Sequence, residues 1–357
     1  MPNRCAPRRS GLDRCLNALR PSGVLAVAYG LAVLFPLSPH AAAGSIGIPN
    51  PEYGLGLGNS KTFTGLRINV RDRDVERVSG INLTLWAPGG NRDAHMHGLT
   101  IGLVGPNGRD LRGLLAGGVG VSGDRVSGLA GGLIGIQATK SFTGIGVAGI
   151  GMGGDQLRGI TIAGVGIGAD GDVSGIAVGG IGVGAGRNLR GIAIGGIGLG
   201  AGKDLAGIAL GGIGVGAGEN VAGVVAGGIG VGAGGNLRGI GVGGVGIGAG
   251  KCVKGLGVAG LAVGAGDAIY GLAVAGAWIR TERVHGAGVS AGYIRCRDLS
   301  GLGVASHVRV KGTQRGLAIG LVNTARTLKG VQIGLVNCAR NNPPALRWLP
   351  LLNLHLK

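Results

Sequence analysis

Aromatic residues make up 3% of this 357-residue chain, acidic residues number 16 against 34 basic ones, and only five cysteines occur. Each shortage excludes something. So few aromatics leave neither the girdles of a membrane barrel nor the stacking platforms of a single-strand nucleic-acid binder. The acids are spread along the chain rather than paired, so no carboxylate couple for glycoside hydrolysis or general acid–base work is apparent, and no catalytic set is expected. Two cysteines fall within the first 43 residues, and the remaining three, Cys252, Cys296 and Cys338, are an odd number that makes no disulfide framework. Apolar residues show no 3.6-residue period, which rejects helix, and there is no Gly-X-Y triplet, which excludes collagen.

What the chain has is glycine, 85 residues of it, arranged periodically. From Val173 to Val253 a 16-residue unit is copied almost letter for letter, as in LRGIAIGGIGLGAGKD from Leu189 to Asp204. A fixed period of this kind marks a repeat architecture. Within the unit, Leu189, Ile192, Ile194, Ile197, Leu199 and Ala201 are spaced by twos and threes. Steps of two are those of an extended chain, and the longer steps coincide with Gly, Asn or Asp, which supply corners. If all these apolar groups share one side, the unit is one coil of a β-solenoid with a nearly bare outer wall at Ala193, Gly198 and Gly200.

Residues 1–43 carry Arg4, Arg8, Arg9, Arg14 and Arg20, then the apolar run Val24 to Leu37, then Ala41-Ala42-Ala43. This is the order of a secretory signal, with cleavage expected after Ala43 and a mature charge of +18 − 4 = +14. Cys15 precedes the apolar run and is not placed as a lipid-acceptor cysteine. Residues 44–64 read as an N-terminal edge or cap. A glycine then opens each unit at 65, 80, 98, 113, 128, 144, 159, 175, 191, 207, 223, 239, 255, 271, 286, 301, 316 and 330, giving eighteen units of 14–18 residues over 65–338. Residues 339–357 break the pattern and read as a C-terminal cap whose leucines and Trp348 would cover the open end.

Comparing units separates inside from outside. The residue two before the opening glycine is apolar almost throughout, as at Leu111, Phe142, Leu189 and Val253, and reads as core. One residue nearer lie Arg112, Arg158, Arg190, Arg238, Lys254, Arg315 and Lys329, which stacked would form an exposed basic column. Three before it come Asp172, Asn188, Asp204, Asn220 and Asn236, suited to corners through side-chain to backbone hydrogen bonds. Toward the end Trp278, Tyr293, Arg280, Arg295, Arg297, Arg309 and Lys311 replace wall glycines, so the last third is bulkier and more basic.

The units GLAIGLVN at 316–323 and GVQIGLVN at 330–337, followed by NNPPALRWLPLLNLHL, resemble bacterial surface-repeat proteins built from G-(L/V/F)-Q-(I/L)-x-G-L-(V/I)-N-type units. The likeness runs over residues 316–356 and is pattern-level over 65–315, where Gly usually stands for the unit's Asn. It implies an exported cell-envelope repeat protein and carries no activity across.

One local constellation has metal-ligand chemistry. Asp93, His95 and His97 alternate, so on a strand their side chains share a face and one carboxylate and two imidazoles converge, against the plainer reading of an exposed loop. Corner acids such as Asp124 and Asp170 are not maintained from unit to unit, which argues against a calcium ladder. The many Gly-x-Gly-x-x-Gly matches come from the repeat and lack the strand-to-helix setting of a nucleotide site, so no cofactor is expected. The expected fold is therefore an all-β solenoid of about eighteen glycine-rich coils with terminal caps, acting without catalysis as an envelope surface. Its expected partner is an anionic envelope polymer or surface rather than nucleic acid. The alternative is an outer-membrane β-barrel with one strand per unit, since each unit offers about the 9–11 residues that a membrane strand needs.

Overall fold

The computed structural model describes residues 44–355; the expected signal segment lies outside them. The described residues are 73% strand with no α-helix among them, and they form a β-solenoid of about 17 turns, not a barrel. Two compact units divide it, one ending at Asp170 and one beginning at Gly171.

In the first unit an antiparallel hairpin, Ile46–Asn50 with Tyr53–Leu57, caps the start. Tyr53–Leu57 pairs in parallel with Thr62–Asn69, and parallel pairing continues through Arg77–Thr84, His95–Gly102, Asn107–Gly117, Gly120–Gly132, Gly135–Ala148 and Gly151–Ala163. In the second unit, before the long final strands His307–Ile319 and Val322–Ala339, each coil has two strands, a longer one such as Leu189–Gly195 and a shorter one such as Gly198–Ala201. Each pairs in parallel with its counterpart one unit on, Leu189 with Leu205 and Leu199 with Val215. Parallel pairing at the distance of one repeat is what a coil requires, whereas a barrel meander would pair neighbours antiparallel.

The opening glycines hold the register. All eighteen have positive φ, and within each compact unit they stack on one another, as Gly175 on Gly191 and Gly191 on Gly207. The corners follow expectation too: Asp204 Oδ1 accepts hydrogen bonds from the Asn220 backbone N–H (3.2 Å) and side-chain amide (3.0 Å), and Asn220 does the same for Asn236.

The wall differs from the expectation. Leu189, Ala193, Gly195, Leu199 and Ala201 are buried, while Ile192, Ile194 and Ile197 are 38%, 40% and 49% exposed. Simple period-two alternation holds from Leu189 to Gly195, with no bulge to turn the isoleucines inward. The reason is volume. Leu189 and Leu199 fill the interior with Ala193 between them, and where that position carries the buried Val225 the two leucines are replaced by Val221 and Val231, so the filled volume is held nearly constant. The isoleucines instead form aliphatic ladders on the outer face, each flank covered by its neighbours one coil away, as Ile192 lies between Ile176 and Ile208. Residues two before the opening glycine are core as expected, with Leu111, Phe142, Leu205 and Val253 at most 1% exposed.

The last coils exchange the aliphatic interior for amides. Gln314, Asn323, Gln332 and Asn337 are 0% exposed, and Gln332 donates to Gln314 Oε1 (2.8 Å) while Asn323 donates to Asn337 Oδ1 (2.8 Å). The C-terminal strand Trp348–His355 pairs antiparallel with Val322–Ala339 and so closes the sheet edge. It does not cover an end with apolar groups: Trp348, Leu351, Leu352 and Leu354 are exposed, and the side chain that turns in is Asn353, bonded to Asn342 at 2.8 Å.

Candidate functional site

The short-strand sheet of the second unit changes character along its length. Its outward positions are first bare: a Cβ added at Gly200, Gly216, Gly232 or Gly248 would meet nothing within 4 Å, and none of these glycines needs a positive φ. Beyond Gly264 the same register position is occupied by Arg280, Arg295 and Arg309, one in each of three successive coils. Beside it, the position of Ala262 becomes Trp278, Tyr293 and His307. Trp278 is 55% exposed, and the Tyr293 and His307 rings meet edge to face at 5.0 Å. An arginine ladder and an aromatic ladder therefore run side by side.

Where the bare glycine floor meets this raised wall there is a groove of about 950 Å³. Gly248 and Gly264 line it from the preceding coils, and Trp278, Arg280, Arg295 and Arg297 from the following ones, with Lys311, Arg326 and a single acid, Glu282. Among the described residues none of Arg280, Arg295, Arg297, Arg309, Lys311 or Arg326 forms an ion pair. Like charges stacked one coil apart, at roughly 4.8 Å, repel and cost stability. An anion laid along the ladder removes that cost and meets planar donors suited to carboxylate or phosphate. Burial, helped by the Arg309 charge, lowers the His307 pKa and favours its neutral ring.

The predicted basic column is exposed as expected but broken. In the second unit Arg190 is followed by Ala206 and Ala222 before Arg238 and Lys254 adjoin, and Arg315 adjoins Lys329. Between these pairs the Lys254 ammonium sits 5.5 Å from the Tyr270 ring, which stacks on His285 at 5.0 Å. In the first unit Arg158 bonds Gln156 (2.8 Å), and Arg112 is taken up by Asp110 through bonds of 3.0 and 2.7 Å.

No family model, curated protein or solved structure matches this chain. The shortage of aromatics that set nucleic acid aside does not hold locally, since Trp278, Tyr293 and His307 stand beside the arginine ladder.

The expected trio of Asp93, His95 and His97 is only partly assembled. His95 and His97 share a face of the strand His95–Gly102, but Asp93 lies outside that strand, its side chain 88% exposed and 3.6 Å from Arg109. Its place beside the imidazoles is taken by Asp110 of the next coil, in register with His95. The signal for this was available: His95 and Asp110 each stand three residues before an opening glycine, Gly98 and Gly113.

The three cysteines of the described residues are free. Burial, with Asp298 and Glu282 nearby, pushes the Cys296 thiol up to about 12, and burial raises that of Cys338 despite Arg340 and Arg347. Native protein treated with a maleimide at pH 8 should therefore be modified at the partly exposed Cys252 and spared at Cys296, as read by peptide mass mapping. Equal labelling of the two would contradict the burial.

Proposed function

We propose that the chain is an exported, non-enzymatic repeat protein of the bacterial envelope whose working surface is the groove of the second unit, and that this groove holds an anionic polysaccharide. The observation that carries the reading is the pair of adjacent ladders, Arg280-Arg295-Arg309 and Trp278-Tyr293-His307, next to a flat glycine floor. Sugar rings lie on aromatic faces, uronate or phosphate groups meet guanidinium forks, and a bare floor admits a polymer without steric barrier. Export is supported by the composition of residues 1–43, and the envelope by the resemblance of residues 316–356 to surface-repeat proteins. Glu282 is the single acid that lines the groove, which suits a binding surface rather than the paired carboxylates of a hydrolase.

Titration with polygalacturonate, with neutral dextran and single-stranded DNA as comparators, tests this. Binding of the acidic glycan is expected, weakening as salt rises. The triple variant R280A/R295A/R309A should lose at least about tenfold in affinity, since each charge-assisted bond contributes about 1.5–3 kcal/mol; W278A should lose less. Equal binding of dextran, or an unaffected triple variant, would refute the assignment, and a clear preference for DNA would replace the glycan with nucleic acid.

A further inference from the structure

The first unit carries a second chemistry, unrelated to the groove. His95, His97 and Asp110 each present a ligand atom within 4.8 Å of the other two. Two come from alternate positions of one strand and the third from its parallel neighbour, so the backbone register, not a loop, sets their separation. His95 Nδ1 lies 3.8 Å from Asp110 Oδ2, too far for a hydrogen bond and suited to an atom held between them. His97 Nε2 is shut off from solvent and has no hydrogen-bond partner among the described residues. A buried imidazole nitrogen left so is unusual, and a metal ion is one of the few things that would satisfy it.

We infer that His95, His97 and Asp110 form a binding site for a divalent transition-metal ion of the zinc class. Two imidazoles and a carboxylate are the donors that such ions prefer, and three protein ligands leave at least one position open. The surroundings favour zinc over calcium or magnesium. Arg112 holds the Asp110 carboxylate, while Arg77 and Arg125 stand in register with His95 and Asp110 on the flanking coils. Hard cations that depend on several carboxylates are disfavoured in so basic a setting, whereas nitrogen ligands retain a zinc-class ion. Arg112 does not block the site. A carboxylate offers about four lone-pair positions, two of which Arg112 uses, and its guanidinium fixes the carboxylate as an outer partner does in metal centres.

Equilibrium dialysis of the purified chain against zinc chloride, with cobalt(II) absorption as a second readout, decides the matter. One zinc per chain is expected, with a cobalt spectrum free of thiolate charge transfer. H97A, H95A and D110N should each weaken binding at least tenfold while retaining the β-sheet circular dichroism of the parent. D93N and H285A should bind as the parent does, and R112A should bind less tightly because the outer partner that fixes the Asp110 carboxylate is lost. H95A serves if H97A does not fold, since the His95 side chain is 40% exposed. Absence of stoichiometric zinc, binding that survives loss of a histidine, or a thiolate band pointing to Cys252 would overturn the assignment. None of these outcomes bears on the polysaccharide groove, which lies in the other unit.

Discussion

Replacing Gly207 by alanine should destabilise the second unit by about 3 kcal/mol or more, whereas the same change at Gly216, nine residues on, should be neutral or slightly stabilising. Gly207 has φ +124° and its new Cβ would stand 2.1 Å from the Gly191 carbonyl oxygen; Gly216 has ordinary φ and nothing within 4 Å. The contrast tests the register of the stack, because the clash at Gly207 exists only if the opening glycines lie one directly upon another. An interior strand position with ordinary backbone angles gains from alanine through the smaller entropy of its unfolded chain. Thermal unfolding followed by circular dichroism gives the magnitudes, and hydrogen exchange locates the damage, since a repeat array opens locally. Similar costs at the two positions would mean that the coils do not stack as described.

The second large effect is expected at the start of the first unit. Arg67 is 0% exposed and donates to Asp72 at 2.6 Å and to Asn59 at 3.1 Å. The Asp72 carboxylate also accepts from Asn69 (3.1 Å), Asn82 (3.0 Å) and Thr84 (2.7 Å), so its lone pairs are filled. Burial lowers the Arg67 pKa, and the Asp72 charge opposes that effect. D72A removes the counter-charge from a guanidinium that has no route to water and should cost about 3–5 kcal/mol. The double variant R67M/D72N, which removes both charges, should be less destabilised than D72A. A D72A protein within about 1 kcal/mol of the parent would show that the pair is not a structural anchor. Such a network belongs at a terminal coil, where one face of the stack has no further coil to supply apolar contacts.

Much of this architecture is legible without coordinates because a repeat compares itself with itself. The positions of the opening glycines, the core residue two places before each, the exposed residue one place before and the Asn or Asp corners can all be read by setting units beneath one another. The structure places each where the comparison puts it. The groove was legible only as an accumulation of Trp278, Tyr293 and arginines; that these separate into two adjacent ladders above a glycine floor depends on strand parity and on which coil precedes which.

Sequence by itself thus determined the period, the register and the all-β class, since only glycine tolerates positive φ against a carbonyl 2.1 Å away, and it recurs wherever the coil demands it. Tertiary structure alone decided which face of the wall is which. Ile192, Ile194 and Ile197 are as apolar as Leu189 and Leu199, so hydrophobicity cannot assign them to inside or outside. The volume that one coil can enclose does, since Leu189 with Leu199 leaves room for Ala193 as Val221 with Val231 leaves room for Val225. The same holds for Asp110, which lies 15 positions from His95 along the chain yet one strand away in space. Ligand sets in a solenoid are assembled across coils, and the length of each coil determines which residues meet.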